Sequence, residues 1–245
     1  MTESNLKERQ ANYFADAKWR TWYKIAGIAF LVEGITYLMI TVSSSMIGVA
    51  PGNNLQFLNA LTAHAGAANF TYYVVLVADL VLIPGSYGLY LALKNVSKSW
   101  MMVATGLIWI YVVVDLLTFV PAAISLVALS QQAQTASVLA SEHSRLAIMP
   151  WSQFFGWVEP PIVFAIWIAV LRIAKVGRFA RIFGFFTILF SIAGGISFLI
   201  PSETYLQNFQ LPALAVYGIF FLGLAEAVLR LRTKQAPTIQ STVRK

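Results

Sequence analysis

The stretch Phe70–Leu93, FTYYVVLVADLVLIPGSYGLYLAL, decides the fold. It holds 24 residues and a single charged side chain, Asp79. A helix needs about 20 mostly apolar residues to cross the hydrocarbon core of a bilayer. Five further stretches read the same way: Trp22–Val49, Trp100–Leu129, Trp151–Ile173, Phe179–Ile200 and Leu211–Leu231. The first and third of the six exceed the core thickness and are expected to tilt or extend beyond it. The sequence thus predicts an all-α polytopic membrane bundle of six transmembrane helices.

Composition agrees. Of 245 residues, 58% are hydrophobic and 11% charged, whereas a soluble domain carries about a quarter charged residues. The net charge of +7 does not point to nucleic acid, because the basic residues sit at membrane borders. Cysteine is absent, which removes disulfides and thiolate ligands. The basic start followed by an apolar run resembles a signal peptide. Its apolar run is too long for one and is interrupted by Glu33, so it reads as a retained first span.

Charge placement orients the bundle. Lys7, Arg9, Lys18, Arg20 and Lys24 precede span 1; Lys94 and Lys98 join spans 2 and 3. Arg172, Lys175, Arg178 and Arg181 join spans 4 and 5; Arg230, Arg232, Lys234, Arg244 and Lys245 follow span 6. That puts 16 of 17 basic residues on one side, Arg145 excepted. The positive-inside rule makes that side cytoplasmic, with both termini there. Trp19, Trp22, Tyr23 and Trp100 at one border, and Tyr72, Tyr73, Trp151 and Tyr205 at the other, fit interfacial belts. The expected location is the cell (plasma) membrane, multi-pass.

Outside the spans, residues 1–21 read as an amphipathic segment on the inner membrane surface, residues 22–231 as the transmembrane domain, and residues 232–245 as a disordered basic tail. The loops 50–69 and 130–150 are polar and face outward. Asn69-Phe-Thr71 matches a glycosylation sequon but abuts the membrane. The partners expected are membrane lipids, with anionic head groups at Arg172, Lys175, Arg178 and Arg181, and subunits of a membrane complex. Nucleic acid is not expected.

Four acids lie at membrane depth with no basic residue beside them: Glu33, Asp79, Asp115 and Glu159. Glu226, by contrast, has Arg230 four residues on, the spacing of a helical ion pair. A carboxylate at helix centre costs about 2.5–3.5 kcal/mol on insertion scales. Four unpaired ones would cost on the order of 10 kcal/mol. Protonation, a water-filled cavity or a bound cation each relieves that cost, and all three turn the acids toward the bundle interior. Tyr37, Ser86, Tyr111 and Thr118 lie at helical spacing from the acids and are the expected polar lining. Pro84, Pro121 and the pair Pro160-Pro161 follow the acids closely, and each proline frees a backbone carbonyl. The residue before a proline avoids the α region, so Glu159 is expected at a helix break. Two readings stay open: a proton- or cation-accepting cavity facing outward, or protonated acids that hydrogen-bond between helices for packing.

Other chemistry is sparse. His64, Glu142 and His143 in the outer loops are a weak candidate metal set. No paired in-membrane histidines, HExxH, GxSxG or Walker A occurs, and no cofactor is expected.

Four segments carry a resemblance: Ile25-Ala-Gly-Ile-Ala-Phe-Leu31; Ala78-Asp79-Leu80 with Leu89-Tyr90 and the basic turn after it; Phe154-Phe155-Gly156; and Arg181-Ile-Phe-Gly184 with Gly194-Gly195. In these the chain resembles an uncharacterised six-span prokaryotic integral membrane family, a domain of unknown function. The resemblance implies six helices in a prokaryotic plasma membrane and assigns no reaction. The leading expectation is a small transporter-like or ligand-binding bundle. A non-catalytic accessory subunit of a membrane complex is the first alternative, and an intramembrane enzyme the second.

Overall fold

The computed structural model describes residues 17–48, 54–118, 149–197 and 203–233, with isolated positions at 120, 121, 124 and 128. Among these residues the fold is all-helical. A short 3-10 turn over Ala17–Trp19 leads into α1, Arg20–Ile47, followed by α2, Asn54–Ala63, and α3, Ala65–Leu93. Then come α4, Lys98–Leu117; α5, Met149–Ile173; α6, Arg178–Ser197; and α7, Glu203–Thr233. Among the described residues, α1, α3, α4 and the Leu211–Leu231 part of α7 are each long and apolar enough to cross a membrane.

Two boundaries differ from the sequence reading. The helix carrying the second predicted span starts five residues early, at Ala65, and the stretch read as a polar outer loop contains α2. The predicted break at Glu159 does not occur: α5 runs unbroken through Pro160 and Pro161. A water-exposed chain replaces a lost helical hydrogen bond with solvent. In lipid every further freed carbonyl is costly, so helix continuity outweighs the local preference imposed by proline. The segment 1–16, the tail 234–245, Glu142 and His143 lie outside the described residues.

The six long helices form a closed ring in chain order. α1 packs against α3 on one side and α7 on the other, and α3–α4, α4–α5, α5–α6 and α6–α7 complete the circuit. Small residues let the first and last helices meet. A Cβ added to Gly34 would lie 2.8 Å from the Gly218 carbonyl oxygen, and one added to Gly218 would lie 2.9 Å from that of Gly34. This is the close backbone approach that glycine permits between membrane helices. The turn between α5 and α6 uses positive φ at Lys175 (54°) and Gly177 (62°). Here the Val176 N–H reaches back to the Leu171 carbonyl at 3.1 Å, satisfying the helix end.

Aromatic side chains fill the ring. Phe30 of α1 lies 5.9 Å from both Trp167 of α5 and Phe221 of α7. Phe164 of α5 lies 4.9 Å from Phe220 and 5.5 Å from Tyr217. The edge-to-face and tilted arrangements are those aromatic quadrupoles favour. At the basic end, Lys18 and Lys94 sit 5.4 Å and 5.0 Å from the Trp19 ring centroid. Those cation–π contacts bring the start of α1 to the end of α3.

Candidate functional site

Each acid falls on the buried stripe of its helix. In α1 that stripe includes Ala26, Phe30, Glu33 and Ile40. In α3 it includes Tyr72, Asp79, Leu82, Ser86 and Leu89. In α4 it includes Ala104, Ile108, Val112 and Asp115. The i, i+3, i+4 spacing that turns apolar residues inward carries the acids inward with them. Glu33 is 1% exposed, Asp79 3%, Asp115 6% and Glu159 8%.

Three of the four converge. Asp79 of α3 and Asp115 of α4 lie beside each other, and Glu33 of α1 is near enough to act on Asp79 electrostatically. Two phenols join them. Tyr37 faces Glu33, Asp79, Asp115 and Tyr217, and Tyr111 faces the three acids and Tyr37. Glu33 Oε2 and Asp79 Oδ2 are buried without a hydrogen-bond partner. Buried polar atoms in that condition are uncommon and costly.

Glu159 stands apart on α5. None of the three acids acts on it electrostatically, and its Oε1 is buried without a partner. The other expected lining residues divide. Tyr37 and Tyr111 reach the cluster. The Ser86 hydroxyl donates to the Ile83 carbonyl at 3.0 Å and accepts the Trp109 indole N–H at 3.2 Å. Thr118 is likewise committed to its own helix, donating to the Val114 carbonyl at 2.6 Å. Both have their hydroxyl protons taken by backbone, a common fate of hydroxyls inside helices.

Tyr217 was not among the expected site residues. It lies beside Tyr37, ring centroids 5.5 Å apart, and its hydroxyl hydrogen-bonds to Ser191 of α6. Only a polar group at membrane depth marked either residue in the sequence, and many serines and tyrosines share that mark. The sequon is structural: Thr71 donates to Ser43 Oγ at 2.6 Å, a buried bond between α3 and α1. His64 is exposed, and among the described residues no group of three or more His, Asp or Glu is arranged to hold a metal. Glu226 makes the expected ion pair with Arg230.

A groove of about 550 Å³ opens between the C-terminal half of α1 and the start of α3. Ile35, Met39, Val42, Met46, Ala67 and Phe70 are among its lining residues; none of the four acids is. The four acids are buried away from this groove.

No protein-family profile, curated protein or solved structure matches the chain.

Proposed function

We propose that the chain is a six-span, multi-pass protein of the cell membrane with both termini cytoplasmic. It acts as a small transporter-like or ligand-binding bundle around the acids Glu33, Asp79 and Asp115. The observation that carries this reading is the meeting of three buried carboxyls from three helices, with two of their oxygens left without partners. Acids spread over separate interfaces would be explained by packing. Acids gathered in one place, where each raises the cost of charging the next, are what a proton or cation site requires.

The cluster is buried in this conformation, and in this reading outward opening belongs to a second one. The ring supports such a change. Pro84 lies five residues beyond Asp79, and Pro160 and Pro161 directly follow Glu159. Prolines weaken helices locally and are where membrane helices bend. Glu159 is then an acid on the access side, and the four-base turn Arg172–Arg181 meets anionic lipid head groups.

The test is transport by the whole chain in pyranine-loaded liposomes. The dye reads proton movement while amino acids, sugars and organic amines are supplied outside. The expected result is solute-dependent proton movement with a member of that panel, lost in Asp79→Asn. Unchanged movement in the variant with all four acids converted to amides would overturn the reading.

A further inference from the structure

We propose that the groove between α1 and α3 binds one acyl chain of a neutral or zwitterionic phospholipid, in the leaflet away from the basic turns. The proposal rests on the chain lying in a bilayer and is independent of the transporter reading.

The shape of the groove comes from the register of α1. Ile35, Met39, Val42 and Met46 are spaced by four, three and four residues, which sets them in one stripe along the helix. Ala67 and Phe70 of α3 make the facing wall. From Ile35 to Met46 the stripe rises about 16 Å at 1.5 Å per residue. One leaflet supplies about 15 Å of a hydrocarbon core roughly 30 Å thick. The groove therefore has the length of a chain that spans a single leaflet.

Its volume separates a hydrocarbon tail from a helix. The groove holds about 550 Å³, whereas a cavity of roughly 150 Å³ takes one benzene. At that packing it has room for on the order of 20 carbons. A transmembrane helix about 10 Å wide would fill on the order of 1,300 Å³ over the same length.

The lining offers carbon and sulfur contacts. Among the described residues Ser43 is the one polar member, and its hydroxyl is already engaged. It donates to the Met39 carbonyl at 3.0 Å and accepts from Thr71 at 2.6 Å. Met39 and Met46 bring flexible thioether side chains that adapt to irregular apolar partners. Charge then selects the lipid class. No Lys or Arg occurs between residues 25 and 93, so the helices that build the groove do not attract an anionic head group. The basic turns at the opposite end of the bundle are suited to that. The tail therefore governs binding here.

Native mass spectrometry of the full chain, released from detergent micelles with dioleoylphosphatidylcholine added, counts the lipids held. The expected result is one phosphatidylcholine per chain, retained under activation that strips the detergent. Val42→Trp and Ala67→Phe fill the groove and should each lower that occupancy about tenfold by steric exclusion. Val42 is 64% exposed, so its variant reports even where Ala67→Phe fails to fold. Leu117→Trp is the control: Leu117 is exposed on α4 and outside the groove, and occupancy should be native. An adduct that persists in Val42→Trp, or that falls equally in Leu117→Trp, would overturn the proposal. So would loss of the adduct when Arg172, Lys175 and Arg178 are changed to Gln, which would put the lipid at the basic turn. A native dimer that Val42→Trp converts to a monomer would make the groove a seat for a second copy instead. Transport is not read here, so lipid occupancy and solute-dependent proton movement fail separately.

Discussion

Two buried regions of this bundle, one helical turn apart along α1, are built on opposite terms. Around Phe30 the ring is filled by Phe164, Trp167, Phe220 and Phe221, all within 2% exposure and in mutual contact. Around Glu33 it holds Asp79 and Asp115, also buried, and Glu33 Oε2 and Asp79 Oδ2 find no partner. The aromatic region stabilises the fold through packing, which in lipid is a main source of helix–helix attraction. The carboxyl region gives back part of that stability. Leucine at those positions would pack without that cost, so the contrast separates the residues that hold the ring together from those that do not.

Breaking the aromatic side should have the largest effect. Trp167 is 0% exposed and touches both Phe30 and Phe164. Trp167→Ala leaves a void in the middle of the ring, and losses of about 3–5 kcal/mol are usual for such truncations. Thermal unfolding in detergent should show a clear drop in midpoint. Asp79→Asn, which abolishes the proposed transport, should leave the midpoint within about 1 kcal/mol of native or raise it, since neutralising a poorly satisfied buried acid is often stabilising. A comparable drop in both variants would erase the distinction between the two regions.

A smaller loss is expected where the ring closes. Gly34 and Gly218 leave no space for a side chain between α1 and α7. Gly218→Leu forces the helices apart, and overpacking of this kind costs about 1–3 kcal/mol. Because Tyr37 of α1 and Tyr217 of α7 meet near the same seam, the variant should also disturb the tyrosine side of the cluster. Gly106 is the control: a Cβ there meets nothing within 4 Å, so Gly106→Ala should leave the midpoint at or slightly above native.

How much of this was legible in the sequence follows from what each signal measures. Hydropathy reads area against lipid or protein alike, so it found the helices but could not separate Phe30, 0% exposed, from Phe179, 43% exposed. The acids were legible because an unpaired charge at membrane depth has few explanations. Their convergence was not, since it depends on the rotation of α1, α3 and α4 about their axes, which packing sets. The partners of Ser86 and Thr118 were illegible for the same reason: spacing from an acid along a helix does not say whether a hydroxyl donates across a seam or back to its own carbonyls. The expected break at Glu159 failed because a rule for isolated residues was applied inside a membrane helix, where continuity is worth more.

The smallest predicted effect sharpens the comparison within one residue type. Glu226 and Glu33 are both glutamates in long apolar helices. The Glu226 side chain is 41% exposed and ion-paired with Arg230 one turn on; Glu33 is 1% exposed with Oε2 unpartnered. Exposed pairs of this spacing contribute about 0.2–0.5 kcal/mol, and salt weakens them further. Glu226→Gln should therefore shift the unfolding midpoint barely, and the shift should vanish when the salt is raised toward molar. The solute-dependent proton movement of the proposed function should be untouched, whereas Glu33→Gln should lower it. If Glu226→Gln lowered that movement as Glu33→Gln does, burial would no longer separate the acids of the proposed cluster from an exposed, ion-paired one.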